Sequence, residues 1–560
     1  MDDGGKSIRD FKGKTYLPNG DINTISKSDI NKKTIAKEWG RKYVEWSIAF
    51  PGLENGAIIE YSYERTFRRL DGIYKWVFSH EVPTLFSRVQ ILPKIQSPWA
   101  YYSQNPSGKA DVLEKDKEIT FTRKNIPPFI EEPFGLPTTS TSDAIVFYYF
   151  SVVKSPENYW EEWGDEIYRS FIEFTEPCRK SKKLVKENFE HIPPEAKLRA
   201  IYDFVQTQYL PYQTLTEDEK ESYKKEIHKM RYGGNSMPTL LSLKVLHSFE
   251  MYQVLACLIQ TAIPNCSIDM IFYSPWDTNV FNSKILSTDQ LSGFILRATV
   301  NNQPEFLEID RRYRPFGAFD HGAKMNTALV CTAKGSGFET ILGERCTKNK
   351  TLKESFVTIT EDGRAHIRSH IEADPYESYR LRSVIIHMEK DDQKEFLNTL
   401  LPKDDQLEVE LETWSFENLN DLDKALVLDV TYSYPIELKE VGDYIFLGLQ
   451  GIDIIKENPF TNETRNGVIV FNYPKYLKHL IHIQIPDHLA LSSIPQDHKI
   501  NQKDFIYTMR FKEGSKNELL VKIEKVLEGN VFPPGKNQFF FESYANMMRA
   551  QNEKLVLTEL

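Results

Sequence analysis

The chain has 560 residues, of which 40% are hydrophobic and 27% charged, with a formal net charge of −10. That length suggests about three domains, and the composition is that of a globular protein rather than a disordered one. The acidic balance leaves almost no electrostatic support for binding nucleic acid and argues against adsorption to anionic lipid. The five cysteines, Cys178, Cys257, Cys266, Cys331 and Cys346, contain no CxxC zinc pattern, and an odd count at irregular spacing is no disulfide framework.

The opening segment, MDDGGKSIRDFKGK, is polar and lacks the regions of a signal peptide, and no apolar run of about 18 residues predicts a transmembrane helix. Residues 1–153 read as β. GAIIEYSYERTF alternates, placing Ile59, Tyr61 and Tyr63 on one face. YKWVF, FSRVQILP and DAIVFYYFSVV are further strands, punctuated by Asn19-Gly20, Pro51-Gly52 and Asp71-Gly72 turns.

Helices follow. WEEWGDEIYRSFIEF spaces Ile167, Tyr168, Phe171 and Ile172 helically. PPEAKLRAIYDFVQTQY carries a stripe of Leu198, Ile201, Tyr202 and Val205 behind Pro193-Pro194. In GGNSMPTLLSLKVLHSFEMYQVLACLIQTA the glycine pair marks a loop, Ser236 is a predicted N-cap and Pro238 suits the first turn. The apolar run after them predicts a helix buried on several sides. CSIDMIFYS, GFILRATV and PEFLEID then read as strands, an α+β core pattern.

From about 350 the chain returns to β. SFVTITEDGRAHIRSHIEA predicts a hairpin around Asp362-Gly363, and DPYESYRLRSVIIHMEKDDQKEFLNTLLP predicts helix. QLEVELETWSF, KALVLDVTYSYP, LKHLIHIQIP, FIYTMRFKE and NELLVKIEKVLEG are strands, and FFFESYANMMRAQNEKLVLTEL a helix ending in a short tail. The expected fold class is α+β multidomain: a β-sandwich-like domain over 1–153, an α+β core over 154–348 and a β-sandwich-like domain over 349–560.

The words FPGLENGAIIEYSY, YKWVFSHEVP, LRAIYDFV, HSFEMYQVLACLIQTA, GFILRATVNNQPEFLEID, RPFG, NPFTNETRNGVIVF and ESYANMMRAQNEKLVL follow one another along these parts. With them the chain resembles the transglutaminase-like envelope proteins of Gram-negative bacteria, in which a papain-like core lies between two β domains of unknown function. The order and spacing of these words carry the likeness. The resemblance implies a catalytic Cys at the N-terminus of the buried core helix, a His on the next strand pair and an Asp on the strand after it. A helix N-terminus stabilises thiolate, the His shares its proton and the Asp orients the imidazole. In this sequence Ser248 stands at the Cys position, Gly293 at the His position (give or take one residue) and Asp310 at the Asp position. Only the Asp matches.

A serine hydroxyl needs a general base, and no histidine lies between His247 and His321. His247 adjoins Ser248, but neighbours on a helix point about 100° apart. Ser248 therefore reads as an N-cap or small packed residue. Asp310 reads as a structural carboxylate paired with Arg311, Arg312 or a backbone amide. Cys257 reads as a small hydrophobe within an apolar run, Cys178 has basic neighbours that lower a thiol pKa, and Cys331 and Cys346 could pair in an oxidising compartment. The pairs His366/His370 and His479/His482 lack a third ligand and read as exposed sheet histidines. RKSKKLVK at 179–186 reads as a solvated face.

The expected function is that of a non-catalytic transglutaminase-like protein: a binding, scaffold or accessory protein whose partner is a protein, peptide or glycan. The resemblance implies the periplasm or cell envelope. No cofactor, metal or nucleic acid is expected. The alternative is an active cysteine protease or acyltransferase using an unrecognised site. A third reading, a carbohydrate binder, draws on aromatic segments such as WAYYSQ at 99–104.

Overall fold

The computed structural model describes residues 6–38, 41–67, 72–93, 98–104, 110–115, 118–150, 158–232, 236–343, 345–401, 408–436, 438–461, 465–514 and 517–560. Asp71 of the expected turn, the glycine pair at 233–234 and the expected boundary at 153 lie outside the described residues. The fold is mixed α/β and multidomain, with β-rich N- and C-terminal regions about a central helical region.

The N-terminal region is built from small antiparallel sheets. One joins Ile22–Thr24, Lys6–Tyr16 and Ile58–Phe67, and a second joins Thr84–Ile91, Glu118–Ile126 and Asp111–Lys115. A third places Ala144–Tyr149 between Ile73–Val77 and Trp99–Gln104. Residues 144–148 are all buried, so this unbroken apolar run takes the central position. Ile59, Tyr61 and Tyr63 share a face as expected, but that face is open: Tyr61 is 60% exposed.

In the central region the helices Tyr159–Phe174, Arg179–Phe189, Pro194–Gln208 and Ser248–Ala262 pack with a five-stranded antiparallel sheet. Its order is Gln303–Leu307, Gly293–Val300, Ser267–Tyr273, Thr327–Thr332, Gly335–Thr340. Leu198, Ile201, Tyr202 and Val205 are all buried, as the stripe predicts. The single helix expected after Ser236 is instead broken. Met237–Leu240 makes one turn, Val245–Leu246 runs parallel to Leu210–Pro211, and the buried helix starts only at Ser248. Pairing with 210–211 holds the intervening chain extended. The Ser236 hydroxyl does not cap an amide; it bonds Thr239 Oγ1 at 2.8 Å.

The C-terminal region centres on an eight-stranded sheet that includes the parallel pair Lys350–Ile359 and Lys475–Gln484. The predicted hairpin turns at Gly363, whose φ of 76° favours glycine. The closing helix is Asn537–Gln551. The expected short tail is a strand, Lys554–Glu559, inserted between Tyr444–Gly448 and Leu489–Ser493. Leu555 and Leu557 alternate inward there and are fully buried. The N-terminal region is anchored here: the Glu132 carboxylate accepts from the amides of Asn466 and Gly467 at 2.8 and 2.9 Å. Phe134 inserts its ring 4.7 Å from Phe471 and 5.4 Å from Phe460.

Candidate functional site

The N-terminus of the buried core helix is fixed by Glu250, whose carboxylate accepts the amide of His247 at 2.8 Å. His247 is the cap and its ring faces Tyr212 at 5.9 Å, so Ser248 is the first helical residue; of the two readings from sequence, N-cap or small packed residue, the structure corrects the first. The Gln213 side-chain amide donates to Ser248 Oγ and also to the main-chain carbonyl of Asp310, the latter at 3.0 Å. Gln213 lies on a single 3-10 turn immediately after the Leu210–Pro211 strand. The fold thus brings Ser248 and Asp310 to one place, with Gln213 between them.

One helical turn beyond Ser248, the Tyr252 hydroxyl faces Asp310 Oδ1 at 3.0 Å and the Phe294 carbonyl at 2.7 Å. Burial, followed by the charge of Asp310, holds this phenol well above its ordinary pKa, so it keeps its proton. Of the arginines expected beside Asp310, Arg312 pairs with Glu219 at 2.8 Å. Burial works against the Arg311 guanidinium, but the charge of Asp310, with Tyr379 and Glu308, outweighs it and raises its pKa. Asp310 also faces a neutral hydroxyl, because Tyr252 points at it from the helix.

Gly293 opens its strand directly opposite Tyr273. A Cβ at position 293 would overlap the Tyr273 ring at Cζ, Cε2 and Cε1, the last at 2.7 Å. Tyr273 is buried and its ring occupies the space into which a side chain at 293 would project. Behind it Phe294 packs against Tyr252, Phe272 and Phe249 with ring centroids 4.6, 4.8 and 5.3 Å apart. The locus can hold a carbonyl or amide by hydrogen bonding. An acyl transfer would in addition require a group that takes the Ser248 proton.

Sequence reasoning missed Gln213, Tyr252 and Tyr273. Tyr252 carried a signal, since i, i+4 spacing from Ser248 puts both on one helix face. Gln213 and Tyr273 carried none, because their roles depend on strand register and on a turn.

The cysteines are free. Burial pushes the thiols of Cys257, Cys266 and Cys346 up to about 11 and that of Cys331 to about 12. Cys331 and Cys346 therefore do not form the pair considered from sequence. Cys178 caps the Arg179–Phe189 helix, its Sγ accepting the Ser181 amide at 3.4 Å.

The histidine pairs are explained by carboxylates rather than metal. His366 meets Glu412 at 3.0 Å, His370 meets Asp429 at 2.9 Å, and His482 lies between Glu354 and Glu518. Among the described residues no group of three or more His, Cys, Asp or Glu is arranged to hold a metal. His479 corrects the expectation of exposure: it is buried and bonded to Ser355 Oγ at 2.9 Å. Burial pushes its pKa down to about 3.

In the unfolded chain this imidazole takes a proton below about 6.5, whereas the folded protein resists protonation until about 3. Its contribution is present above pH 6.5 and lost as pH falls toward 3, at about 1.4 kcal/mol per pH unit. Guanidinium unfolding between pH 4.5 and 6.5 should show His479→Gln flattening the pH dependence by one proton's slope. An unchanged slope would contradict the assignment.

The fold and site together define a multidomain α/β chain whose core helix opens on a serine, beside a tyrosine-bonded aspartate. Two family models match it, each described as a domain of unknown function with a solved structure: DUF3857 over residues 3–130 and DUF3858 over 443–557. Among solved structures, the chain is similar to that of a candidate protease from Parabacteroides distasonis, at 13% identity and a TM-score of 0.51. The likeness covers 99% of this chain and 92% of that one, and it is a likeness of fold. No curated protein matches.

Proposed function

We propose that this protein is a non-catalytic member of the transglutaminase-like class, acting as a binding, scaffold or accessory protein of the bacterial cell envelope. In this reading a core over 154–348 sits between β-rich domains over 1–153 and 349–560. The observation that carries it is the Tyr273 ring filling the space beside Gly293, where the class would place its histidine. Ser248 Oγ receives a hydrogen bond from Gln213, and an amide cannot serve as a general base. Asp310, which would orient the histidine, binds Tyr252 instead. The retained helix N-terminus and the Ser248 hydroxyl, which accepts from Gln213 and keeps its own proton to donate, suit recognition of a peptide or glycan carbonyl without turnover. A fold outlasts its chemistry because activity resides in the site.

The test is turnover of casein, a fluorogenic peptide panel and an amine donor with a glutamine substrate. Wild type and Ser248→Ala should both match the blank. Turnover that disappears in Ser248→Ala would overturn the proposal.

A further inference from the structure

A cleft of about 670 Å³ lies where the N-terminal region meets the core, within the roughly 300–1,000 Å³ usual for small-ligand sites. It shares no lining residue with the Ser248–Asp310 locus. Its floor is one face of the sheet built from Ile73–Val77, Ala144–Tyr149 and Trp99–Gln104. The register sets Lys75, Val146 and Tyr102 side by side, and Ile73 and Gln104 share their face. Its wall carries Phe281 and Phe338, with ring centroids 5.4 Å apart, and Phe338 is 43% exposed.

The cleft is preformed. Ser140 Oγ accepts the Val280 amide at 2.8 Å and Thr139 Oγ1 donates to the Thr278 carbonyl at 2.9 Å, joining the loops of the two regions. These bonds also occupy main-chain groups that a peptide would need. The floor presents a sheet face, not an edge, so strand addition has no template there. Ser140 Oγ also donates to Asn279 Oδ1 at 3.1 Å, and Gln104 Nε2 donates to the carbonyls of Thr139 and Ser142 at 3.1 and 3.0 Å. What remains is side-chain chemistry: aromatic faces, the Gln104 amide oxygen and the Asn279 amide nitrogen.

Lys75 adds a charge. It donates to the Thr139 carbonyl and, among the described residues, makes no ion pair with a carboxylate. Partial burial pushes its ammonium down to about 8, so an anionic ligand group would restore it. Asp289 is the one carboxylate among the described lining residues, and its charge, after burial, raises the Tyr159 phenol.

We propose that this cleft is a binding site for an acidic saccharide, with pyranose faces against Phe281 and Phe338, ring hydroxyls donating to Gln104 Oε1 and accepting from Asn279 Nδ2, and the sugar carboxylate on Lys75. The site stands independently of whether Ser248 is catalytic.

Calorimetric titration of the full chain with a galacturonic acid trimer, a galactose trimer and triglutamate tests it. The galacturonic acid trimer should bind with a sub-millimolar Kd. Phe338→Ala should weaken both saccharides about tenfold, as expected when one aromatic contact of about 1.4 kcal/mol is lost. Lys75→Gln, which keeps a donor to Thr139, should weaken only the acidic trimer, also about tenfold. Both positions are at least partly exposed, and unchanged melting temperatures would establish that the variants fold. No saccharide binding up to 1 mM, affinities unchanged in both variants, or tighter binding of triglutamate would each overturn the proposal.

Discussion

Replacing Gly293 by alanine should destabilise the protein by about 2 kcal/mol or more, measured by guanidinium unfolding. The added Cβ meets the buried Tyr273 ring at three carbons, and overpacking a close-packed interior typically costs about 1–3 kcal/mol. The ring cannot yield cheaply, because Ile271, Ile295, Ala328 and Val330 belong to the same buried cluster. Histidine at 293 should be worse still, since its imidazole needs the space the phenol fills. The cause can be isolated by a double-mutant cycle. Tyr273→Ala alone should lose about 3–5 kcal/mol as a large-to-small change, but Gly293→Ala made in that background should be close to neutral. A Gly293→Ala variant within 0.5 kcal/mol of wild type would mean the ring does not seal that position.

Glu308→Gln should lose about 3–5 kcal/mol at pH 8.5, where the Glu308 carboxyl is ionised, because it removes the carboxylate paired directly with the buried Arg314 guanidinium. The two groups meet at 2.9 Å and both are buried. The guanidinium also lies 3.7 Å from the Tyr379 ring centroid, tying the segment to the Pro375–Ile385 helix of the C-terminal region. Tyr202 braces the main chain here, its hydroxyl facing the carbonyls of Glu308 and Arg314 at 2.7 and 3.0 Å. Burial pushes the Glu308 carboxyl up to about 7 even with Arg314 beside it, a sign of how strongly this interior resists isolated charge. The double replacement Glu308→Leu with Arg314→Met should recover most of the loss. Equal losses in the single and double variants would show that the pair's charges are not the source.

The architecture was legible where periodicity is local. The stripe from Leu198 to Val205 and the strand from Ala144 to Tyr149 could be read in the sequence, because a helical stripe and a run of aromatic and branched residues are local signals. The break before Ser248 was not legible in the local pattern; only the resemblance, which sets Ser248 at a helix N-terminus, implied it. It arises from a parallel pairing between residues 35 positions apart, Leu210 with Val245, and local propensity cannot report such a contact. The closing strand at 554–559 was misjudged for a related reason: its alternation is short, and only its two partners reveal it. Of the candidate site, the positions of Ser248 and Asp310 were readable and the space they share is real, linked through Gln213. What fills that space was hidden, because Tyr273 reaches Gly293 through strand register.

The central claim is that Ser248 is a hydrogen-bonded helix residue and not an activated nucleophile. Reaction with a fluorophosphonate probe at pH 7.5, mapped by mass spectrometry, tests it most directly, since only a serine with a proton acceptor attacks phosphorus at a useful rate. The Ser248 peptide should remain unmodified, and wild type should be indistinguishable from Ser248→Ala. Stoichiometric modification of Ser248 would contradict the account.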